Sequence, residues 1–304
     1  MGGQLPQAGG MIEGGFDPVV YAIPVFIALI LIEMVWAARR APASYEPRDT
    51  LVSLLLGVGS TAASALAAGA VLVAAMWLFD HRITTLGWGW WVWIAAFLLD
   101  DFNYYWAHRT GHRVRWFWAA HVNHHSSQHY NLSTALRQSW TSFFALGFVF
   151  RIWPALLGFD PAMLATVAGV NLIYQFWIHT EAIQRLPRWL EAVFNTPSHH
   201  RVHHATNPRY LDRNYAGVLI VWDRLFGTFQ REQDDERIRY GLVRQLGSFS
   251  VLWAAFHEWA GMLRDLWAAP WRHKLSYLWR VPGWSHDGSR ESSDMIRDRW
   301  LGNE

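Results

Sequence analysis

Twenty-nine consecutive residues, Leu51 to Phe79, carry no charged side chain. A helix crosses the ~30 Å hydrocarbon core of a bilayer with ~20 apolar residues, so this run is long enough to span. It is also dense in small residues, among them Gly57, Gly59, Ser60, Ala62, Ala63, Ala65, Ala67, Ala68 and Gly69. Small residues let helices approach closely in lipid. Other runs share the pattern. Pro18 to Ala38 is uncharged except for Glu33 and is closed by Arg39 and Arg40. Ile83 to Leu99 is uncharged and begins with Trp88, Trp90, Trp91 and Trp93, which reads as an interfacial aromatic belt. Gln138 to Phe159 holds only Arg151, with Pro154 nearby, and Pro161 to Ile178 has no charge. Charged residues are 16% of the whole, against about 25% in a soluble domain. The fold class expected is all-α, a multi-span membrane protein of about four to five membrane-embedded helices with a cytosolic helical cap.

The distribution of arginine orients these spans. Arg39, Arg40 and Arg48 lie between the first and second runs, and Arg109, Arg113, Arg115 and Arg137 between the third and fourth. The chain after the fifth run is Arg-rich, whereas the intervening turns and the first 17 residues are poor in bases. Basic loops stay in the cytoplasm, which places the N-terminus outside and the Arg-rich loops inside. The fourth and fifth runs can equally form a re-entrant hairpin, because both ends of a hairpin share a side. No basic residue precedes the first apolar run, so that run is expected to be a retained span, not a leader peptide. Three regions follow: residues 1–50 (first span and linker), 51–230 (membrane and dimetal domain) and 231–304 (an amphipathic, interfacial helical region).

There is no cysteine, which excludes disulfides, thiolate metal sites and a cysteine nucleophile. A net charge of +2 gives no support to nucleic-acid binding. Histidine is where the chemistry concentrates. Ten of the 15 histidines fall in two stretches: His108, His112, His121, His124, His125 and His129, then His199, His200, His203 and His204. His108 and His112 stand at i, i+4, on one helix face. His121 relates to His124 and His125 as His200 does to His203 and His204. Imidazole suits iron, zinc, copper and nickel. Eight histidines exceed the four to six ligands of one ion, so two ions are the economical count. His179, at the foot of the fifth run, is a further candidate ligand. His199 is a possible additional one, although it points about 100° away from His200. His81, His257, His273 and His286 read as ordinary surface or core residues, and His129 is open.

Structural zinc closes at four ligands and catalytic zinc uses three. The H-E-x-x-H spacing is absent, since His257-Glu258 lacks the second histidine, and no Glu has a His three residues on. A carboxylate-rich di-iron bundle is thereby disfavoured. Neutral imidazoles leave two cations undercompensated, so nearby acids are expected to orient the rings. Asp100 and Asp101 precede the first box, and Glu181, Asp212 and Asp223 lie near the others. Asp101, Glu181 and Asp223 are the catalytic candidates; solvation of a helix end is the plainer role for Asp100 and Asp101.

The boxes H-x3-H, H-x2-H-H and H-x2-H-H, in this order between hydrophobic hairpins, resemble the fatty acid hydroxylase / sterol desaturase superfamily over roughly residues 45 to 230. DDFNYYWAHRTGH, NHHSSQHYNLSTALRQS, YQFWIHTE, TPSHHRVHH and NYAGVLIVWDRLFGTF are similar to the alkylglycerol monooxygenase branch. The resemblance implies a di-iron site on His108, His112, His121, His124, His125, His200, His203 and His204, with His179 matching a further family histidine. It also implies hydroxylation of an ether lipid with tetrahydrobiopterin.

The expected partners are thus a lipid substrate, the membrane and an electron donor, either a pterin or a redox protein. Asn131, Ser133, Thr134, Arg137 and Gln138 are a candidate head-group or access surface, or else a simple amphipathic loop. The start of residues 251–279 suits an interfacial amphipathic helix, with packing on the cytosolic region as the alternative. Asp294 to Glu304 is expected to fray. Desaturation on the same site is the neighbouring reading. A non-redox metal transporter or sensor calls for ionisable ligands within the spans, and a haem protein for mid-span histidine pairs; the histidines sit at span ends instead.

Overall fold

The computed structural model describes residues 18–302, and among them every regular element is helical. The expected span Pro18–Ala38 is helix α1, Pro18–Arg40. Helix α2, Pro47–Asp80, has Pro47 at its first position, and the Glu46 side chain accepts from Asp49 N. Pro has no N–H to leave unpaired there, and an acceptor on a first-turn N–H satisfies one of the free donors. At 1.5 Å per residue, α1 and α2 are ~34 and ~51 Å long. Both are long and apolar enough to cross a membrane, and only 11% and 6% of their most apolar windows are buried. A core helix of a water-soluble protein would hide that surface. The reading of residues 1–17 as lacking a leader's basic segment lies outside the described residues.

The third run differs from its expected bounds. Residues 83–89 are non-helical, and α3 runs from Trp90 without a break to Arg113. It thereby carries His108 and His112 on the same rod as the apolar turns that anchor it. Short α4 (Arg115–Trp118) and α5 (Val122–His125) follow. The expected span Gln138–Phe159 is not one helix. It consists of turns, then α6 (Val149–Ile152), then a 3-10 turn at Trp153–Leu157. Ser139 Oγ accepts from Thr141 N, offering the chain a local alternative to helix. Pro154 removes a donor further on. The segment still follows α2, from the Trp140 indole donating to Leu56 O to Ile83 N donating to Leu156 O. It ends at Gly158, where φ is +102° and a Cβ would lie 2.3 Å from Thr84 O, so only glycine fits.

Helix α7, Pro161–Trp177, is capped by Asp160 and packs on α3 through Met163, Val167, Val92 and Ala96. Phe26 of α1 stacks on Phe176 of α7 with ring centroids 4.0 Å apart. Beyond α7 come α8 (Arg188–Val193), α9 (Pro197–His203), α10 (Val221–Leu225), α11 (Val251–Ala268) and α12 (Ser276–Trp279). The expected frayed end is instead ordered through residue 301: α13 spans Ser293–Leu301, capped by Ser292. Asp294 holds it to Arg113 at 2.5 Å, which supplies the tertiary partner that its polar composition does not advertise.

Candidate metal centre

Three helix ends and one loop deliver the histidines to a single place. α3 brings His108 and His112, α5 with its first flanking residue brings His121, His124 and His125, the residue beyond α7's C-cap is His179, and α9 brings His200, His203 and His204. They sort into two groups whose ligand atoms lie within 4.8 Å of one another: His108, His112, His121, His125 and His203, and His124, His179, His200 and His204. The sorting follows helix geometry. The i, i+4 pairs His108/His112, His121/His125 and His200/His204 each stay together, while the third member of each H-x2-H-H box, His124 or His203, crosses to the other group.

Backbone carbonyls fix several rings. His108 Nδ1 donates to Tyr215 O at 2.8 Å, His179 Nδ1 to Gln175 O at 2.7 Å and His203 Nδ1 to Arg213 O at 3.0 Å. A neutral ring that donates at Nδ1 presents a lone pair at Nε2. Those Nε2 atoms point inward at other imidazole nitrogens. His108 Nε2 is 3.0 Å from His121 Nε2, and His179 Nε2 is 2.9 Å from His200 Nε2 and 3.2 Å from His124 Nε2. His112 Nε2 and His203 Nε2 are buried with no partner at all. Adjacent nitrogens bound to one ion at ~2.1 Å stand about 3 Å apart, so the donor set fits a metal in each group.

The imidazoles are neutral for a physical reason. Burial, reinforced by neighbouring rings, holds His124, His125, His200, His203 and His204 well below the usual imidazole range, and burial lowers His179 to about 4. His112 Nδ1 stands 3.4 Å from Asp212 Oδ1. Burial alone would raise the Asp212 carboxyl; His112 and Arg113 outweigh it and hold that group below the normal carboxylate range. Asp212 is thus the acid that meets an imidazole directly.

The catalytic candidates sit one step further out. Asp101 accepts from Val218 N, Leu219 N, the Trp222 indole and Asn171. Asp223 accepts from Tyr215 N and Ala216 N, both at 2.8 Å, and from the Thr228 hydroxyl; burial pushes its carboxyl up to about 6. Together these two acids clamp residues 215–219, whose Tyr215 carbonyl orients His108. Glu181 accepts from Tyr240 OH, and the Tyr240 ring stacks on Tyr130, which lies 5.2 Å from the His204 ring. None of the three touches an imidazole. Asp100 bonds Asn171 inside the α3–α7 interface, not solvent at a helix end.

His199 stays outside both groups, its Nδ1 bonded to Phe194 O and its ring against Phe229. His129 bonds Ala43 O and lines a cavity of about 1170 Å³ whose wall also includes Tyr130, Glu181 and Tyr240. The expected access surface at 131–138 is mostly buried. Arg137 is 1% exposed and pairs with Asp49, and the Asn131 side chain caps Ser133 N and donates to Ser44 O. The charge of Arg137 is consumed internally, which is why this polar run does not face out. Sequence reasoning missed Tyr215, Gln175 and Arg213, because they act through backbone carbonyls that leave no residue-type signal.

Residues 93–228 match the fatty acid hydroxylase family model. Alkylglycerol monooxygenase of Homo sapiens is 41% identical over 273 residues, covering 88% of this chain and 60% of the relative. The Danio rerio alkylglycerol monooxygenase is 41% identical over 269 residues, 87% of this chain and 59% of the relative. Ornithine lipid hydroxylase of Rhizobium tropici is 29% identical over 139 residues, 45% of this chain and 41% of the relative. The chain spans about three fifths of the length of the alkylglycerol monooxygenases it matches. No solved structure matches. The histidine-bearing core of this chain is therefore similar to the fatty acid hydroxylase family, and most of the chain is similar to alkylglycerol monooxygenases.

Proposed function

We propose that the chain is a membrane hydroxylase that uses dioxygen to oxidise a C–H bond of a lipid, with an alkylglycerol ether lipid as the substrate class. The observation that carries this reading is the donor set: nine imidazoles in two groups, eight buried and His121 half-buried, with lone pairs aimed inward at metal-ligand spacing. His108, His112, His121, His125 and His203 would hold one iron ion, and His124, His179, His200 and His204 the other. A pair of ferrous ions there would supply reductive activation of dioxygen, which organic side chains cannot provide.

The rest is done by the protein's own residues. Tyr215, Gln175 and Arg213 present carbonyls that keep His108, His179 and His203 in the ligating tautomer. Asp101 and Asp223 hold the 215–219 segment in place, and Asp212 orients His112. Trp118, Tyr130 and Tyr215 pack on the rings and keep water away. Hydroxylation takes one O2, two protons and two electrons beyond the C–H bond, and releases one water. The electrons come from an external donor, tetrahydrobiopterin in this reading. Helices α1 and α2 cross the bilayer together with α3, the broken 138–159 segment and α7. The Arg-rich loops and the metal centre then face the cytoplasm.

Anaerobic purification in detergent followed by metal analysis is the first test. Two irons per chain are expected; a single zinc would sink the reading. Incubation with lipid extract under oxygen-18 gas should then place label in a hydroxylated product. Label drawn only from water would point to hydrolysis, and an unsaturated product without label to desaturation.

A further inference from the structure

Helix α11 is inverted relative to an ordinary surface helix. Its body-facing side holds little apolar bulk: Ala254, Ala255 and Asp265 are buried there, with Met262 the one large apolar side chain among them. Its outward side is large and apolar. Leu252, Phe256, Leu263 and Trp267 are exposed at 64, 40, 63 and 89%, and at 100° per residue they fall within an arc of about 60°. Beyond the end of α11 at Ala268, Trp271, Leu275 and Trp279 are exposed as well. A helix on a water-facing surface places its polar side outward, and an apolar patch of this extent marks a contact surface.

Two observations name the occupant. The buried side of α11 packs on Val52 and Leu56 of α2, where the exposed apolar surface of α2 begins at Leu51, Leu54 and Leu55. The outward face of α11 is therefore continuous with a surface already assigned to lipid. The charges also fit. The carboxylates of α11, Glu258 and Asp265, are engaged by Arg115 and Arg290. The other charged residues of 251–280 are all cations: Arg264, Arg272, Lys274 and Arg280. Apolar bulk flanked by cations matches an anionic lipid interface.

We propose that α11 and the segment through Trp279 lie in the membrane leaflet on the metal-centre side, as a helix bedded in the lipid interface beside α2. The proposal rests on the reading that α1 and α2 cross the bilayer. Its consequence is that the histidine boxes are held at a fixed depth by a contact outside the spans, through the Arg115–Glu258 and Arg115–Asp265 ion pairs that join α11 to α4.

The absence of cysteine makes the test direct. Single variants Leu263→Cys, Trp267→Cys and Leu66→Cys are spin-labelled in the full chain, reconstituted in vesicles of phosphatidylcholine with phosphatidylglycerol. Collision with dissolved oxygen is compared with collision with a water-soluble nickel chelate. At positions 263 and 267 the oxygen-to-nickel ratio should rise several-fold over that of an aqueous label, at a depth of ~5–10 Å. Leu66, in α2, reports the spanning reading separately. A lipid signal at 66 with a water signal at 263 overturns the proposal alone. Shielding of 263 from both reagents also overturns it, in favour of a protein partner or a second copy. A water signal at both sites removes the spanning reading along with it.

Discussion

The two histidine groups are made from the same three boxes, yet they are not equivalent. One has five imidazoles and a carboxylate, Asp212, beside His112; the other has four imidazoles and, among the described residues, no acid paired with a ring. Two ligands of the five-membered group, His108 and His112, come from within the 24-residue α3, while His121 and His125 come with α5 and His203 from α9. The four-membered group hangs on short pieces around His179 and abuts Tyr130, which borders the 1170 Å³ cavity. In a six-coordinate field, five imidazoles leave one open position and four leave two. With a metal in each, the five-membered group would be the more saturated, and the four-membered group would keep more positions free for oxygen or substrate.

The largest effects should come from the two crossing ligands, which test the partition itself. His203→Ala should empty the five-membered group and His124→Ala the four-membered one. Each variant should retain about half the metal, and oxygen-dependent turnover should fall by at least ~100-fold, above what loss of a mere supporting contact costs. Metal analysis beside turnover is the measurement. If either variant loses all metal, the groups are one cooperative cluster and the comparison fails.

Asp212→Asn sharpens the asymmetry. The carboxylate supports only His112, so metal affinity should drop ~10–100-fold at the five-membered group and stay unchanged at the other. A chelator titration followed by metal counting resolves the two. Equal weakening of both would mean that Asp212 serves the general field and not one ring.

The boxes and their helical spacing were legible because ligation needs particular side chains at particular offsets. The partition was less so: whether His124 joins His121 or His179 depends on how α5 meets α7, a tertiary fact. The apolar runs gave α1, α2 and α7 nearly to their ends, since bilayer length and apolar composition act locally. They failed at 138–159, where Ser139, Pro154 and Gly158 break the helix while composition still reads as a span. Arg137 was misplaced for a related reason. A charged residue in a polar run looks exposed until its partner Asp49, 88 residues away, is known.

Acid should separate folded from unfolded chain in the metal-free protein. His124, His125, His200, His203 and His204 titrate below the unfolded value of ~6.5. The unfolded state binds more protons as pH falls through that value, so stability is fully present above ~6.5 and declines below it. Each full unit of depression is worth about 1.4 kcal/mol. Denaturation of metal-stripped protein at pH 7.5 and 5.5 should show the loss, and prior loading with iron should diminish it, because metal and proton compete for the same nitrogen. Equal stability at both pH values would mean that the rings are open to water.

The smallest effects rank the outer acids. Asp223 holds two backbone N–H groups and a buried hydroxyl, so Asp223→Ala strands the two N–H donors and leaves Thr228 with Tyr105 OH alone. Each orphaned buried group costs ~1–3 kcal/mol, and the Tyr215 carbonyl that orients His108 loses its support. Glu181 accepts from Tyr240 OH alone at 3.1 Å, on the rim of the four-membered group. Glu181→Gln keeps an acceptor for that hydroxyl, so stability should change by less than about 1 kcal/mol and metal content should not change. Thermal unfolding with metal counting distinguishes the two variants. If Glu181→Gln instead releases metal from the four-membered group, then a carboxylate does act there through Tyr240 and Tyr130. The contrast between an acid-supported and an acid-free group would then give way to two sites that differ only in how far the acid stands from the ring.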